Sequence, residues 1–357
     1  MKSYFRPEID AMAGYVPGEQ PRMLNLVKLN TNENPYPPTP NIQNALAKID
    51  IARLRRYPDP VAKELREEAA KLNNTTSDCV IFGNGSDDIL TMIFRAFSSP
   101  ELSVATLYPS YSLYGELAAM QGAKVISIPL VGNNFALPED ILTQAKEANI
   151  LLIVRPNAPT GTLFPKEDIC HICENFDGIV VIDEAYADFA KDNCMDLPKI
   201  YNNVIVLRTF SKSYALAGIR LGYAVANPEI ITGLMKLKDS YNVDMITQII
   251  GLAALKDQEY FKARLEDVKT SRATLKAQLE NLGFEIPDSE SNFLFAAPPD
   301  RDGKKAFEVL REAEIIVRYF DKPVTKDYIR ITIGTPEENN RLVEVLTKHY
   351  SNHWYFW

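Results

Sequence analysis

An α/β fold built on a mainly parallel sheet, followed by a smaller α+β unit, is what this sequence predicts. Three observations carry that reading. Short β-branched runs alternate with helical patterns through the first two thirds of the chain. Polar residues follow those runs immediately. A long helical stretch then gives way to shorter, mixed elements. At 357 residues the chain is also long for one simple core, which favours two units.

A proline-rich stretch at 34–40 opens the larger unit. Strands are expected at 79–82, 102–107, 124–128, 150–154, 178–182 and 204–207, with another around Ala224 and Val225. After the first strand, Gly83-Asn84-Gly85-Ser86-Asp87 turns into a helix at about Asp88. Residues 252–282 read as one long amphipathic helix stopped by Gly283. Behind it come a strand at 292–296, a helix at 304–312, strands at 315–319 and 328–333, and a last helix. That helix starts with Thr335-Pro336-Glu337-Glu338, a capping box with proline in the first turn. The expected division is an N-terminal arm at 1–30 packing with the small unit, a large unit at 31–250 and a small unit at 251–357.

Composition narrows the function. A net charge of -8 argues against a nucleic-acid or membrane-surface binder, which needs a basic face. No window has the long apolar run of a membrane span, and the first residues lack the apolar core of a signal peptide. Cys79, Cys170, Cys173 and Cys194 make no secreted disulfide framework, so the cytoplasm is the expected compartment. Cys170-His171-Ile172-Cys173 falls in a helix opened by Pro165 and Glu167. With no second cysteine pair it reads as packing, and no metal is expected. The only histidines are His171, His349 and His353, which leaves a Ser-His-Asp hydrolase hard to build.

In parallel α/β sheets ligands bind beyond the carboxyl ends of the strands, so the residues that follow the predicted strands matter most. Asn157 follows one, in Arg155-Pro156-Asn157-Ala158-Pro159-Thr160-Gly161. Asp183 ends the next, in Val180-Val181-Ile182-Asp183-Glu184-Ala185-Tyr186. Lys212 comes after a third, behind Thr209-Phe210-Ser211, and Arg220 closes Gly218-Ile219-Arg220-Leu221-Gly222. These residue types suit pyridoxal phosphate. Its pyridine nitrogen works best protonated and needs a buried carboxylate, Asp183. Its aldehyde needs an amine, Lys212, which can also move the Cα proton. Asn157 and Tyr186 can donate to its phenolic oxygen. Gly85, Ser86, Asp87, Thr209, Ser211 and Arg220 offer a helix start, hydroxyls and a guanidinium to its phosphate. Each piece alone has a plainer reading as a turn, a cap or a surface residue. Their order at successive strand ends is what carries weight.

With Leu29-Asn30-Thr31-Asn32-Glu33-Asn34-Pro35-Tyr36, Arg56-Tyr57-Pro58-Asp59, Tyr108-Pro109-Ser110-Tyr111 and Tyr328-Ile329-Arg330-Ile331-Thr332-Ile333-Gly334-Thr335, the chain resembles the fold-type I pyridoxal-phosphate aminotransferases over nearly its whole length. The first and last of these motifs resemble the histidinol-phosphate branch. The resemblance implies a Tyr111 stacked on the cofactor ring, and backbone amides of Ser86 and Asp87 on its phosphate. It implies a Tyr57 reaching the phosphate of a neighbouring subunit in a homodimer, and an Arg330 gripping a substrate carboxylate. Arg318 resembles a second anion-binding arginine and Tyr15 a substrate-contacting tyrosine. The implied reaction moves an amino group between L-glutamate and imidazole-acetol phosphate. An aromatic aminotransferase and a threonine-phosphate decarboxylase share the scaffold. A regulator carrying such a fold would need a DNA-binding module, and no basic helix-turn-helix pattern is present.

Arg155 departs from the family pattern, where a small or amide residue is more usual, and is expected to pair with an acidic neighbour or alter the pocket entrance. Asp88 replaces the commoner glutamate. The tail His353-Trp354-Tyr355-Phe356-Trp357 matches no motif of the family and reads most simply as docking into a surface groove.

Overall fold

The computed structural model describes residues 3–14, 18–20 and 25–350. Tyr15 and the aromatic tail lie outside them. Strand β1 (Val27–Lys28) is followed by seven strands of one sheet: β2 (Val80–Gly83), β3 (Ser103–Tyr108), β4 (Val125–Pro129), β5 (Ala148–Val154), β6 (Ile179–Asp183), β7 (Val204–Thr209) and β8 (Gly222–Ala226). Their order is β2-β8-β7-β6-β5-β3-β4. All neighbours are parallel except β8, which runs antiparallel to both β2 and β7. The fold is therefore α/β with a mainly parallel sheet, as expected.

The apolar runs follow from burial on both faces. Side chains alternate along a strand, and here each set meets its own core. Ile150, Leu152 and Val154 of β5 join one cluster with Val181, Ile205 and Leu207. Leu151 and Ile153 join the opposite one with Val180, Ile182, Val204 and Val206. Each such side chain contributes about 1.5–3 kcal/mol of burial. With both faces covered, the polar ends of β5, β6 and β7 are the places left for chemistry.

The C-terminal part carries β9 (Phe293–Ala296), β10 (Ile315–Ile316), β11 (Arg318–Tyr319) and β12 (Ile329–Thr332). β11, β12 and β9 form an antiparallel sheet, and β10 pairs in parallel with β1. The last helix, Pro336–Tyr350, has the predicted reciprocal cap. Glu338 Nα donates to Thr335 Oγ1 at 3.2 Å, and Thr335 Nα donates to Glu338 Oε2 at 2.8 Å.

Two expectations are corrected. The helix expected at 252–282 is two helices, Met245–Lys256 and Gln258–Asn281, broken at Asp257. The Asp257 carboxylate caps the second by accepting from Tyr260 Nα, and it also takes Thr39 Oγ1 and Asn41 Nδ2. Its side chain thus competes with a continuous helix and ties the break to the proline-rich segment. The strand expected at 315–319 divides at Val317, because Ile315 and Ile316 pair with β1 whereas Arg318 and Tyr319 pair with β12. Among the described residues no helix is long and apolar enough to cross a membrane.

The loop after β7 holds Ala215 at φ +57, a left-handed conformation that costs an L-residue about 1–2 kcal/mol. Ala215→Gly relieves that strain and gives back part of it as unfolded-chain entropy. A net stabilisation of about 0.5–1 kcal/mol is expected in urea unfolding of the apoprotein.

Candidate active site

The parallel pairing aligns the carboxyl ends of β5, β6 and β7, with Val154 opposite Asp183. Asp183 is buried at the end of β6. Its Oδ2 accepts from Tyr114 Oη at 2.6 Å and its Oδ1 from Ala185 Nα at 3.1 Å. Burial raises its pKa, and the two donors pull it back in part; no cation is among the groups that set its charge. A buried carboxylate of this kind would be matched by a cationic N–H.

Asn157 is fully buried. Its Nδ2 donates to Pro109 O at 3.2 Å and Thr160 Oγ1 at 2.9 Å, while Oδ1 is buried without a hydrogen-bond partner. An unmatched buried polar end is a demand that a bound polar group can meet. Turned by half a turn, the amide presents N–H there, at the loss of the Pro109 contact.

Lys212 Nζ donates to Thr31 O at 2.9 Å and lies 5.9 Å from the centre of the Tyr186 ring. Burial first, then the positive charge of Arg330, lowers its pKa to about 8, against the opposing pull of Glu33. Asn34 Nδ2 holds the loop by donating to the carbonyls of Lys212 and Ser213 at 3.2 and 3.1 Å. Tyr186 is buried edge-on to Phe293, its ring centre 5.1 Å away, and its Oη accepts from Asn32 Nδ2 at 2.9 Å. Tyr111 meets Tyr114 edge-to-face at 5.5 Å.

A second group gathers at a helix start. The helix Ser86–Phe97 begins at Ser86 behind Gly85, which has no side chain to cap the first-turn amides. Arg220 Nη1 donates to Ser211 Oγ at 3.2 Å, and its Nη2 pairs with Asp87 at 3.2 Å. Thr209 Oγ1 accepts from Ser211 Nα at 3.2 Å. Two glycines are required here. A Cβ at Gly85, at φ +85, would lie 2.8 Å from Arg220 Nη2, and one at Gly222 would lie 2.5 Å from Ser86 Nα. The helix start, the Ser211 hydroxyl and the Arg220 guanidinium thus lie together, donors of the kind that suit a phosphate.

On the side of the C-terminal sheet, Arg330 of β12 stands directly opposite Arg318 of β11. Both guanidinium groups lie over the Phe320 ring, at 5.4 and 5.3 Å, and Arg330 Nη2 donates to Asn30 O at 2.9 Å. Like charges at directly opposed positions are unfavourable unless an anion intervenes. Tyr57 stands apart from these groups, 77 % exposed and stacked on Tyr241 with ring centres 4.3 Å apart. Among the described residues no cluster of histidine, cysteine and acidic side chains could hold a metal ion.

Sequence reasoning missed Tyr114, the hydroxyl donor to Asp183. The available signal was its spacing, three residues after Tyr111 at the start of the helix Leu113–Met120. It also singled out the segment of Thr31, Asn32 and Asn34 without assigning a task to any of them. Arg155 pairs with an acidic neighbour: fully buried, it donates to Phe164 O at 2.8 Å and bridges to Asp192 at 2.5 Å. Asp88 caps its turn, accepting from Asn84 Nα at 2.9 Å and Asn242 Nδ2 at 3.1 Å.

The lowered pKa of Lys212 has a stability consequence. Between about pH 8 and the ordinary lysine value of 10.5 the unfolded chain binds the proton and the folded chain does not, so stability rises with pH across that window. Below pH 8 both states are protonated and the full cost of burying the charge remains. Lys212→Met apoprotein should therefore exceed wild type by about 1–3 kcal/mol at pH 7. That advantage should shrink above pH 10, as read by urea unfolding at both pH values.

Residues 25–346 match the family model for aminotransferase class I and II. The chain is 44% identical over 347 residues to histidinol-phosphate aminotransferase 1 of Trichormus variabilis, covering 97% of this chain and 99% of that one. It is 44% identical over 342 residues to the histidinol-phosphate aminotransferase of Syntrophotalea carbinolica, covering 96% and 98%. Among solved structures it is similar to histidinol-phosphate aminotransferase from Sinorhizobium meliloti in complex with pyridoxal-5'-phosphate, at a TM-score of 0.89 and 23% identity over 99% of both chains. The chain belongs to the class I and II aminotransferases.

Proposed function

We propose that this chain uses pyridoxal phosphate to transfer an amino group between L-glutamate and imidazole-acetol phosphate, giving 2-oxoglutarate and L-histidinol phosphate. The observation that carries the cofactor reading is the buried carboxylate of Asp183, set by hydroxyl and amide donors and by no cation. The full-length likeness to relatives named for histidinol phosphate supports the substrate.

When bound, the cofactor supplies an aldehyde and an electron-accepting ring. Asp183 holds a proton on its pyridine nitrogen, and Asn157 and Tyr186 orient its phenolic oxygen. Ser86, Asp87, Thr209, Ser211 and Arg220 hold its phosphate, and Tyr111 packs on its ring. Lys212 is the residue whose amine would hold the aldehyde. Its amine, with a pKa of about 8, can then accept and return the substrate's Cα proton near neutral pH. Arg330 and Arg318 bind the substrate's anionic end, carboxylate in one half-reaction and phosphate in the other; their opposed positions support that role. Tyr15 is assigned to the substrate by resemblance alone.

The cofactor is assigned to a large unit at 31–250, with the arm at 1–30 and residues 251–357 forming the smaller unit around the substrate. The enzyme is expected to work in the cytoplasm as a two-fold dimer. The surface around Tyr57 supports the dimer: the exposed Leu54, Tyr57 and Ile246 line one cleft and Tyr241 stacks on Tyr57, an apolar patch of the kind an isologous interface would cover.

Lys212→Ala should abolish both the yellow colour of the cofactor complex and turnover; retained transamination would sink the assignment. Asp183→Asn should still bind the cofactor yet lose turnover by about 10²–10⁴. A panel of amino donors with 2-oxoglutarate should favour histidinol phosphate over phenylalanine and tyrosine. Carbon dioxide release from threonine phosphate without 2-oxoglutarate would instead make the protein a decarboxylase.

Sedimentation equilibrium should return twice the chain mass. Tyr57→Ala should weaken cofactor affinity about tenfold without altering the fold. A monomer with full activity would remove Tyr57 from the site.

A further inference from the structure

We propose that Asn32 and Thr332 are positioning residues that fix the direction of the Tyr186 phenol proton. The inference rests on the reading that pyridoxal phosphate is bound with its phenolic oxygen at Tyr186. Asn32 is buried and sits at φ +56, a left-handed backbone that asparagine tolerates better than most residues. Its own N–H donates to Thr332 Oγ1 at 3.0 Å, and that hydroxyl donates to Asn32 Oδ1 at 3.1 Å. The Asn32 carbonyl accepts from Asn292 Nδ2 at 3.0 Å. The side chain is therefore gripped at its oxygen end, and Nδ2 is the end that faces Tyr186 Oη, at 2.9 Å.

The Thr332 hydroxyl sets this polarity. In the turned-over amide, two N–H groups of Asn32 would crowd onto one hydroxyl and the Thr332 proton would lose its acceptor. The amide oxygen would then face Tyr186 and draw the phenol proton to itself. With Nδ2 donating instead, the Tyr186 proton is directed away from Asn32. Thr332 lies two residues beyond Arg330 on β12, so the strand that carries the substrate-binding arginine also fixes a proton on the cofactor side. Sequence separation between the two partners is 300 residues, which makes this relay a link between opposite ends of the chain.

A correctly directed donor stabilises negative charge on the cofactor's phenolic oxygen. It therefore lowers the midpoint pH at which the bound cofactor changes its visible absorbance. The charged groups bearing on Lys212, which are Arg330, Glu33, Arg220 and Asp87, are unchanged by uncharged substitutions at positions 32 and 332. The test is a pH titration of cofactor absorbance in wild type, Thr332→Val, Thr332→Ser and Asn32→Gly, with pyridoxal-phosphate Kd and the apoprotein melting temperature measured alongside. Thr332→Val removes the hydroxyl at nearly constant shape, and Asn32→Gly removes the amide without disturbing the left-handed backbone. Both should raise the midpoint by about one pH unit and weaken Kd about tenfold. Thr332→Ser, which restores the hydroxyl, should keep the wild-type midpoint. If Thr332→Val fails to fold, Asn32→Gly carries the same test. Midpoints that stay at the wild-type value in the folded variants overturn the relay. Wild-type protein that takes up no pyridoxal phosphate overturns the underlying reading instead.

Discussion

The Asp183 carboxylate is removed from water at the end of a strand whose two flanks are also buried, and among the described residues no cation is one of the groups that set its charge. A buried charge of that kind is unfavourable unless something answers it. Tyr114 and the Ala185 amide answer it in part, by donating a hydroxyl and an N–H. What they leave is a directed demand for a cationic N–H on the open side of the sheet edge. The neighbouring demands point the same way. Lys212 is an amine made less basic by burial and by Arg330, and Asn157 presents an unmatched polar end. The site is thus defined by polar groups that the fold buries without fully satisfying.

Against this stands the layer beneath. Glu184 is adjacent in sequence to Asp183 but faces the other way, accepting from Cys194 Nα at 2.5 Å and from Arg208 Nε at 2.9 Å. Arg208 also pairs with Asp188, which accepts from Ser213 Oγ at 2.6 Å. Arg155 pairs with Asp192. These charges are therefore matched one against another, and breaking the buried Arg208–Glu184 pair would cost about 3–5 kcal/mol. Ser213 follows Lys212 directly, so these matched charges anchor the loop that carries the Lys212 amine.

Much of this was legible in the sequence, and the reasons are physical. Strands buried on both faces read as unbroken apolar runs, so β5, β6 and β7 and the polar residues behind them could be placed from spacing alone. The capping box at Thr335 was legible because both partners lie within one turn. What escaped were interactions between distant segments. Asp257 broke a helix through partners at Thr39 and Asn41, more than two hundred residues away. Tyr114 escaped because a tyrosine in an apolar helix is ordinarily core, and only the approach of β6 makes it a hydroxyl donor.

The segment from Leu29 to Asn34 shows why such distant contacts concentrate at the site. Leu29 O accepts from Thr332 Nα, Asn30 O from Arg330, Thr31 O from Lys212 and Asn32 O from Asn292. Four successive carbonyls thus go to β12, to the residue before β9 and to the loop after β7. The backbone bends at Asn30 and Thr31 and is left-handed at Asn32, so its carbonyls leave in different directions and tie the C-terminal sheet to the loop after β7. Because those carbonyls take the Lys212 amine and the Arg330 guanidinium, the two side chains are referenced to one segment of backbone. A displacement of that segment would move both together, which keeps the distance between the guanidinium and the amine nearly constant.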